Sequence, residues 1–546
     1  MRREGEQVPK DNVLKRAGRK ISDTVFDGRP YPVFDALHVF VFAVIAIVLW
    51  LPYLVAFAPG IVEIDTVFQI AESLGYGDGS HGPGTYTSLF PLFCVWLIGT
   101  LYAIGMFLFS TPWAAIMFST SVLACTLAFS VSFACCYLSR WNVKVLWRWI
   151  IFAFLCLCPI FPLMAVDLGK DTFFVAAFLP LCTCFAELLR RSQSGEKVTA
   201  PWIILSTISA VIAALVASRG TVIVLACLIV CILAARRSKQ VMAALAVPLY
   251  MVLVATAIMS CFVSPALVRD NDSMASRELM STPMTQVARA LVDGVELTEE
   301  EHAAFAAFFD VDLAPSLYND RIADPVKVLI RTDPPPTNAE TLEFFKAYMS
   351  LGFRAPESYN AAFGDLTRGF WCLGEFRSLC LPRFIPLKET VEDGLVDDYD
   401  GMDLPNDFYK MKKMIQKSQV YYTATILVEY CGEHPEFGDW GMTWWPHRIR
   451  EIVMTLVIRV GEIPVIGLLV QKPLYDLIIP ALLLLSILIF GRRKRGLLFA
   501  LVFPLLFSSL IVFASPVDFT RYAYPCMLLA LPYTAIVISQ LRALRR

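Results

Sequence analysis

Charged residues are scarce in this chain of 546 residues. They make up 17% of it, whereas about 25% is usual for a soluble globular protein. Hydrophobic residues account for 57%, and the mean hydropathy is +0.60. These figures exclude an ordinary soluble protein, an intrinsically disordered chain and a collagen-like repeat. The composition therefore predicts a polytopic membrane protein.

The signatures of several large enzyme classes are also absent. The sequence has no GxxxxGK[ST] phosphate-binding loop and no GxGxxG that follows a strand, which argues against ATP-driven transport. Neither GxSxG nor HExxH occurs, and these are the marks of serine hydrolases and zinc proteases. No basic patch with interleaved aromatic residues indicates a nucleic-acid partner.

The cysteines do not form a disulfide framework. Most of the 15 lie inside apolar runs, where a thiol behaves as a small hydrophobic group. Only Cys372, Cys380 and Cys431 lie well inside a polar insert, which contains no CxxC pair. Cys372 and Cys380 could pair if that insert faces an oxidising compartment.

Charge is divided unevenly along the chain. Residues 264–448 contain 30 Asp and Glu against 17 Lys and Arg, whereas the remainder contains 18 against 30. By the positive-inside rule, the basic loops between apolar runs are cytoplasmic. Residues 59–85 are acidic and contain no Lys or Arg, so we expect them, and the acidic insert, on the outer side.

The apolar runs predict an all-α fold of about ten transmembrane helices with both termini cytoplasmic. Twelve runs are long enough to be candidates for membrane crossings. All the Lys/Arg-rich loops can lie on the cytoplasmic side only if two of these runs are interfacial or re-entrant. One is 452–470, which contains Arg459 and Glu462, and the other is one of the two runs within 86–138. The predicted regions are a cytoplasmic tail (1–35), an N-terminal transmembrane domain (36–263), a mainly helical extracytoplasmic domain (264–448), an interfacial helix (449–471) and C-terminal transmembrane helices (472–546).

The first outer loop, 59–85, contains the most informative pattern. On a helix, Asp65, Gln69 and Glu72 fall at i, i+4 and i+7 and therefore share one face. That face would turn toward water or a cavity; alternatively, Asp65 merely caps the helix. A glycine-rich stretch with His81 follows, and His81 is either a functional group or a surface residue.

The string from Pro59 to Thr87 resembles the first outer loop of a family of uncharacterised bacterial polytopic proteins similar to GT-C glycosyltransferases. Two further segments fit that family: Lys170-Asp171 at the start of an apolar run, and Arg521-Tyr522 at the start of the last one. The resemblance implies a GT-C-like fold. It also implies an integral membrane glycosyltransferase that moves a sugar from a polyprenyl-phosphate donor to a cell-envelope glycan or lipid acceptor at the outer face of the membrane.

This reaction needs a carboxylate that takes a proton from the acceptor hydroxyl. Asp65 is the predicted base, and Glu63 is a less favoured substitute. Asp171 is the second carboxylate, which either orients the acceptor or holds a cation. Asp65 and Asp171 could hold Mg²⁺ or Mn²⁺ through oxygen ligands, although the sequence does not establish a metal.

The reaction also needs cations that stabilise the departing lipid phosphate. Lys170, Arg219 and Arg521 are the predicted phosphate ligands because the topology puts all three on the outer side. Each could instead be a cation that snorkels at the end of a span. The remaining predicted substrate-binding residues are Gln69, His81 and Tyr522.

Two other functions stay open. A polymerase or ligase of lipid-linked glycans would use Arg and His residues of the outer domain, such as His434 and Arg448. A non-enzymatic transporter or flippase would need charged residues in mid-span, and the apolar runs contain few of them.

Overall fold

The fold is helical throughout the part of the chain that the computed structural model describes. That part comprises residues 34–74, 86–268, 273–331, 334–381, 444–492, 494–515 and 517–545. Within it, extended pairing is limited to isolated bridges. The predicted all-α class is therefore confirmed for these residues.

The helices before the insert follow one another closely. They are α1 (Ala36–Ala56), α2 (Ile64–Ser73), α3 (Leu92–Phe109), α4 (Pro112–Tyr137), α5 (Val145–Leu157), α6 (Ile160–Ala165), α7 (Lys170–Ser194), α8 (Ala200–Val216), α9 (Gly220–Ala234), α10 (Lys239–Ile258) and α11 (Ser264–Leu267). Their ends follow local chemistry. The Thr111 side chain accepts a hydrogen bond at the start of α4, and Gly195 ends α7 in the left-handed conformation that favours glycine.

The insert and the C-terminal region contain the remaining helices. In the insert these are α12 (Ser273–Val292), α13 (Glu299–Ala306), α14 (Asp324–Lys327), α15 (Asn338–Arg354), α16 (Pro356–Leu366) and α17 (Arg368–Trp371); after it come α18 (Trp444–Gly461), α19 (Ile479–Phe490), α20 (Arg495–Val512) and α21 (Thr520–Arg545). A π-helical turn, Leu474–Ile478, leads directly into α19.

Among the described residues, seven helices are long and apolar enough to cross a membrane, judged by length and composition. They are Ala36–Ala56, Leu92–Phe109, Trp113–Trp141, Lys170–Ser194, Lys239–Leu267, Arg495–Val512 and Thr520–Leu544. Five shorter apolar helices accompany them: Val145–Leu157, Ala200–Val216, Gly220–Ala234, Ile452–Gly461 and Leu474–Phe490. The chain is therefore a helical membrane protein, and the count of about ten crossings remains a prediction.

One segment differs from the sequence-based expectation, and the structure does not test the expectation for another. The predicted interfacial helix 449–471 is interrupted: α18 ends at Gly461, and a separate 3₁₀ turn covers Ile466–Val470. Pro464, which lacks a backbone N–H, lies between them. Both runs within 86–138 form unbroken helices joined at Ser110 and Thr111, so the re-entrant or interfacial position of one stays a prediction.

Helix α7 lies at the centre of the membrane domain and positions the candidate site. In the apolar part of this helix 94% of the residues are buried. The helix packs against α4, α8 and α21. Phe174, Phe178 and Phe185 on this helix are fully buried. Because the first turn of α7 begins in this packed centre, Lys170 and Asp171 have a rigid support.

The insert has a hydrophobic core of its own. Phe305, Phe308, Phe344 and Leu351 are buried in a cluster separate from the membrane core. Capping boxes open α13 and α15 through Thr298 with Glu301 and Thr337 with Glu340. The helical insert is thus confirmed for its described residues, and its extracytoplasmic location stays a prediction.

The insert is tied to the start of the last membrane helix through Asp518. The Asp518 carboxylate accepts hydrogen bonds from the Gly369 backbone N–H at 2.8 Å and from Arg377 Nε at 2.9 Å. The buried Lys472 ammonium donates to the Asp518 carbonyl. Cys372 and Cys380 are both free thiols, so the disulfide considered between them is not formed here.

Candidate functional site

Three distant segments meet where α2, α7 and α21 begin. Residues Ile61 and Asp167 form a parallel bridge, with hydrogen bonds from the Ile61 N–H to the Val166 carbonyl (2.8 Å) and from the Leu168 N–H to the Ile61 carbonyl (2.9 Å). The Thr66 hydroxyl donates to the Leu168 carbonyl at 2.5 Å. These contacts join the first predicted outer loop to the segment that precedes α7.

Asp65 lies in the first turn of α2 and contacts two cations. Its Oδ2 is 2.9 Å from Lys170 Nζ and 3.1 Å from Arg521 Nη1. The same guanidinium forms an ion pair with Glu63, two residues earlier in the chain. Arg521 therefore links both carboxylates of the α2 segment to the last membrane helix.

Asp171 forms the other side of the network. Its Oδ1 accepts a hydrogen bond from Arg219 Nη2 at 2.6 Å. Its Oδ2 lies 3.8 Å from Arg521 Nε, which is too far for a direct hydrogen bond. Arg521 thus lies between Asp65 and Asp171, and the network contains three carboxylates and three cations.

Aromatic rings surround the cations. The guanidinium carbons of Arg219 and Arg521 lie 4.7 and 5.4 Å from the centre of the Tyr522 ring. The Lys170 ammonium lies 5.2 Å from the Phe90 ring. Such cation–π contacts hold long side chains in one orientation. Tyr522 contributes this stacking surface within the site.

The side chains of the network differ in how far they are buried. The exposed fraction of the side chain falls from 23% for Asp65 and 18% for Lys170 to 5% for Asp171. Arg219, which binds Asp171, is 17% exposed, so the network is partly accessible while Asp171 itself is buried.

Asp167 is a further buried carboxyl beside the network. It is 1% exposed, lies between α6 and α7, and accepts a hydrogen bond from the Tyr524 hydroxyl at 2.7 Å. Burial raises the pKa of Asp167 to about 7; the Tyr524 hydrogen bond lowers this pKa, and the Asp171 charge raises it. Desolvation is the dominant cause because removing an ion from water disfavours its charged form.

The predicted polar face of α2 is confirmed as a helix face, but it points into the protein. Gln69 is 0% and Glu72 3% exposed. The Thr87 hydroxyl donates to Glu72 Oε1 at 2.5 Å. Neither amide atom of Gln69 has a hydrogen-bond partner among the described residues. His81 lies outside the described residues.

The donor set does not fit a divalent cation. Among the described residues, no group of three or more His, Cys, Asp or Glu side chains is arranged to hold a metal ion. Asp65 and Asp171, the predicted oxygen ligands, instead contact Lys170, Arg219 and Arg521. A divalent ion between them would displace the Arg521 guanidinium and meet its positive charge.

The structure brings together six of the predicted site residues: Asp65, Lys170, Asp171, Arg219, Arg521 and Tyr522. Gln69 lies one helical turn from Asp65. The hydrogen bond between Asp167 and Tyr524 was not predicted, because it joins residues that are 357 positions apart in the sequence. The sequence feature that could have drawn attention to Tyr524 is its position one helical turn after Arg521.

The chain matches one family over residues 81–543. No curated protein matches it, and no solved structure does. The match includes the start of α7 and of α21, which supply Lys170, Asp171 and Arg521, but it assigns no activity. The chain therefore belongs to the family of unknown function DUF6020.

Proposed function

We propose that the protein is an integral membrane glycosyltransferase. It would move a sugar from a polyprenyl-phosphate donor to a cell-envelope acceptor at the outer face of the membrane. The observation that carries this proposal is the convergence of Lys170, Arg219 and Arg521 with Asp65 and Asp171 in one partly open network.

The cations suit a lipid phosphate. An arginine has five N–H donors in a rigid fork, and the carboxylates take up only some of those of Arg219 and Arg521. The remaining donors are available to phosphate oxygens. Position supports this assignment, because Lys170 and Arg521 begin long apolar helices, where the headgroup of a membrane lipid would lie.

The carboxylates suit the acceptor. In the proposed step, an acceptor hydroxyl forms a bond to the anomeric carbon and gives its proton to a carboxylate of the network. The bond between the anomeric carbon and the phosphate oxygen breaks. Its electron pair leaves with the polyprenyl phosphate, whose charge Arg219, Arg521 and Lys170 stabilise.

A transfer assay on the full-length protein tests the proposal. Purified protein in lipid nanodiscs is given polyprenyl phosphates that carry radiolabelled mannose, glucose or arabinose, together with a cell-envelope extract. We expect label to move into the extract and free polyprenyl phosphate to appear. Arg521→Gln should lower the rate roughly a hundredfold, as removal of a charge-stabilising donor does in other enzymes.

Arg459→Gln is the matched control, because Arg459 is 73% exposed and pairs only with Glu462 among the described residues. Its transfer rate should equal that of the parent protein. Arg521→Lys keeps the charge but lacks the guanidinium fork that contacts Glu63, Asp65 and Asp171, so it separates loss of charge from loss of this geometry. Full transfer by Arg521→Gln would remove the proposal.

A transporter or lipid flippase is the second candidate, and one observation favours it. Asp476 is 0% exposed in the turn that leads into α19, where its carboxylate lies beside the Cys526 thiol and the Lys472 ammonium. Buried ionisable groups in membrane helices often mark transport paths. Movement of a labelled polyprenyl phosphate across vesicles without sugar transfer would support this candidate. His434 and the Arg448 side chain, on which a polymerase or ligase would depend, lie outside the described residues.

A further inference from the structure

An unpartnered hydrogen-bond donor and an unpartnered hydrogen-bond acceptor face each other in the buried part of the site. Arg521 Nε and Asp171 Oδ2 are 3.8 Å apart. Both atoms are buried, and neither has a hydrogen bond within the described part of the chain. The other oxygen of Asp171 is bound by Arg219, and Nη1 of Arg521 contacts Asp65 and Glu63. These contacts hold the two unpaired atoms in place.

The Gln69 amide is a second, independent observation. It lies on the same side of α2 as Asp65, one helical turn further on. It is fully buried, and the described residues offer no partner to its oxygen or its nitrogen. Buried amides are nearly always hydrogen-bonded. An unpaired amide one helical turn from Asp65 is therefore a candidate contact for a ligand that supplies the missing bonds.

A hydroxyl group matches these atoms, whereas two charged groups do not. A phosphate oxygen would be repelled by the Asp171 carboxylate, and an ammonium group by the Arg521 guanidinium. A hydroxyl can donate to Asp171 Oδ2 and accept from Arg521 Nε at the same time, because it is both donor and acceptor. A second hydroxyl of the same molecule suits the Gln69 amide for the same reason.

We propose that Asp171 Oδ2, Arg521 Nε and the Gln69 amide form a subsite for a polyhydroxylated ligand. The identity of this ligand rests on the proposed function: it is the acceptor glycan. Asp171 Oδ2 then takes the proton of the acceptor hydroxyl, and the oxygen of that hydroxyl bonds to the anomeric carbon. The bond between the anomeric carbon and the phosphate oxygen breaks, and its electron pair leaves with the phosphate. In this proposal Asp171 replaces Asp65, the base predicted from the sequence, and Asp65 positions Lys170 and Arg521 for that phosphate.

Saturation-transfer NMR tests the subsite without any transfer reaction. The probes are methyl glycosides of glucose, galactose, mannose and arabinose, added to the full-length protein in nanodiscs. At least one glycoside should bind. Asp171→Asn should weaken its binding tenfold or more, because a hydrogen bond to a charged group is lost. Gln69→Leu should weaken it about twofold to tenfold, as expected for a neutral hydrogen bond.

A stability measurement separates this role from a structural one. Because Gln69 has no partner, Gln69→Leu should keep or raise the melting temperature while binding weakens. Gln471→Leu is the matched control: Gln471 is 4% exposed, and its Oε1 accepts a hydrogen bond from the Gly374 N–H at 3.0 Å. This variant should lower the melting temperature and leave glycoside binding unchanged.

The outcomes separate the subsite from the transferase. Absence of binding by every glycoside, or equal binding by Asp171→Asn and the parent protein, would overturn the subsite even if transfer occurs. Glycoside binding that depends on Asp171 and Gln69 would support the subsite even if no polyprenyl-phosphate sugar is consumed, and that result would count against the transferase alone.

Discussion

Asp167→Asn should remove a pH dependence from the stability of the protein. Burial raises the pKa of Asp167 from 3.8 to about 7. Between these values the folded protein keeps a proton on Asp167 that the unfolded chain has lost. The contribution of Asp167 to the stability of the parent protein therefore falls as the pH rises through this window and is constant above about 7. About 3 pK units correspond to roughly 4 kcal/mol at most, since one unit is worth about 1.4 kcal/mol.

Asparagine keeps the shape and accepts the Tyr524 hydrogen bond through its amide oxygen, but it does not titrate. We therefore expect little difference in melting temperature between Asp167→Asn and the parent protein at pH 4, and a growing advantage for the variant up to about pH 7. Thermal unfolding in nanodiscs across this range measures the difference. A difference that stays constant with pH, or that shrinks as the pH rises, would refute the reasoning.

Tyr524→Phe supplies the control. Its hydroxyl lowers the pKa of Asp167, so its removal should extend the window of pH dependence to higher pH. In the Asp167→Asn background the same change should leave the pH profile as it is in Asp167→Asn alone, because the carboxyl that accepts the Tyr524 hydrogen bond is gone. A Tyr524→Phe effect on the profile that persists in this background would point to another titrating group.

Three further predictions concern the site and its supports. Asp65→Asn should abolish sugar transfer while expression and monodispersity stay normal, since Lys170 and Arg521 lose the charge that positions them; full activity would exclude the role given to Asp65. Gly60→Ala should lower the melting temperature much more than Gly195→Ala, because a Cβ at Gly60 would clash with the Thr120 side chain, whereas nothing lies within 4 Å of one at Gly195; equal effects would contradict this packing. Thr337→Ala should weaken the start of α15 by about 1 kcal/mol through loss of its cap, seen as faster amide exchange there and not in α7.

Apolar runs and charge counts predicted much of the membrane architecture. The run that became α7 and the run that became α21 were identified from hydropathy alone, because hydrocarbon requires long apolar helices. The same charge argument put Lys170, Arg219 and Arg521 on one side of the membrane. These three side chains do meet in one network.

Contacts within the site were less predictable. The helix that contains Asp65 and Gln69 followed from residue spacing, but spacing cannot say whether its polar face meets water or protein, and Gln69 is fully buried. The partner of Glu63 could not be predicted either. It is Arg521, 458 residues away, and pairs so distant depend on how α2 and α21 pack together.

The most direct measurement is a cryo-EM map of the full-length protein in nanodiscs with a bound polyprenyl-phosphate sugar. The account predicts phosphate density within hydrogen-bonding distance of Arg219 and Arg521, with the sugar on the side of Asp171. Phosphate density elsewhere, with the ion pairs of Arg521 unchanged and no ligand beside them, would contradict the central claim.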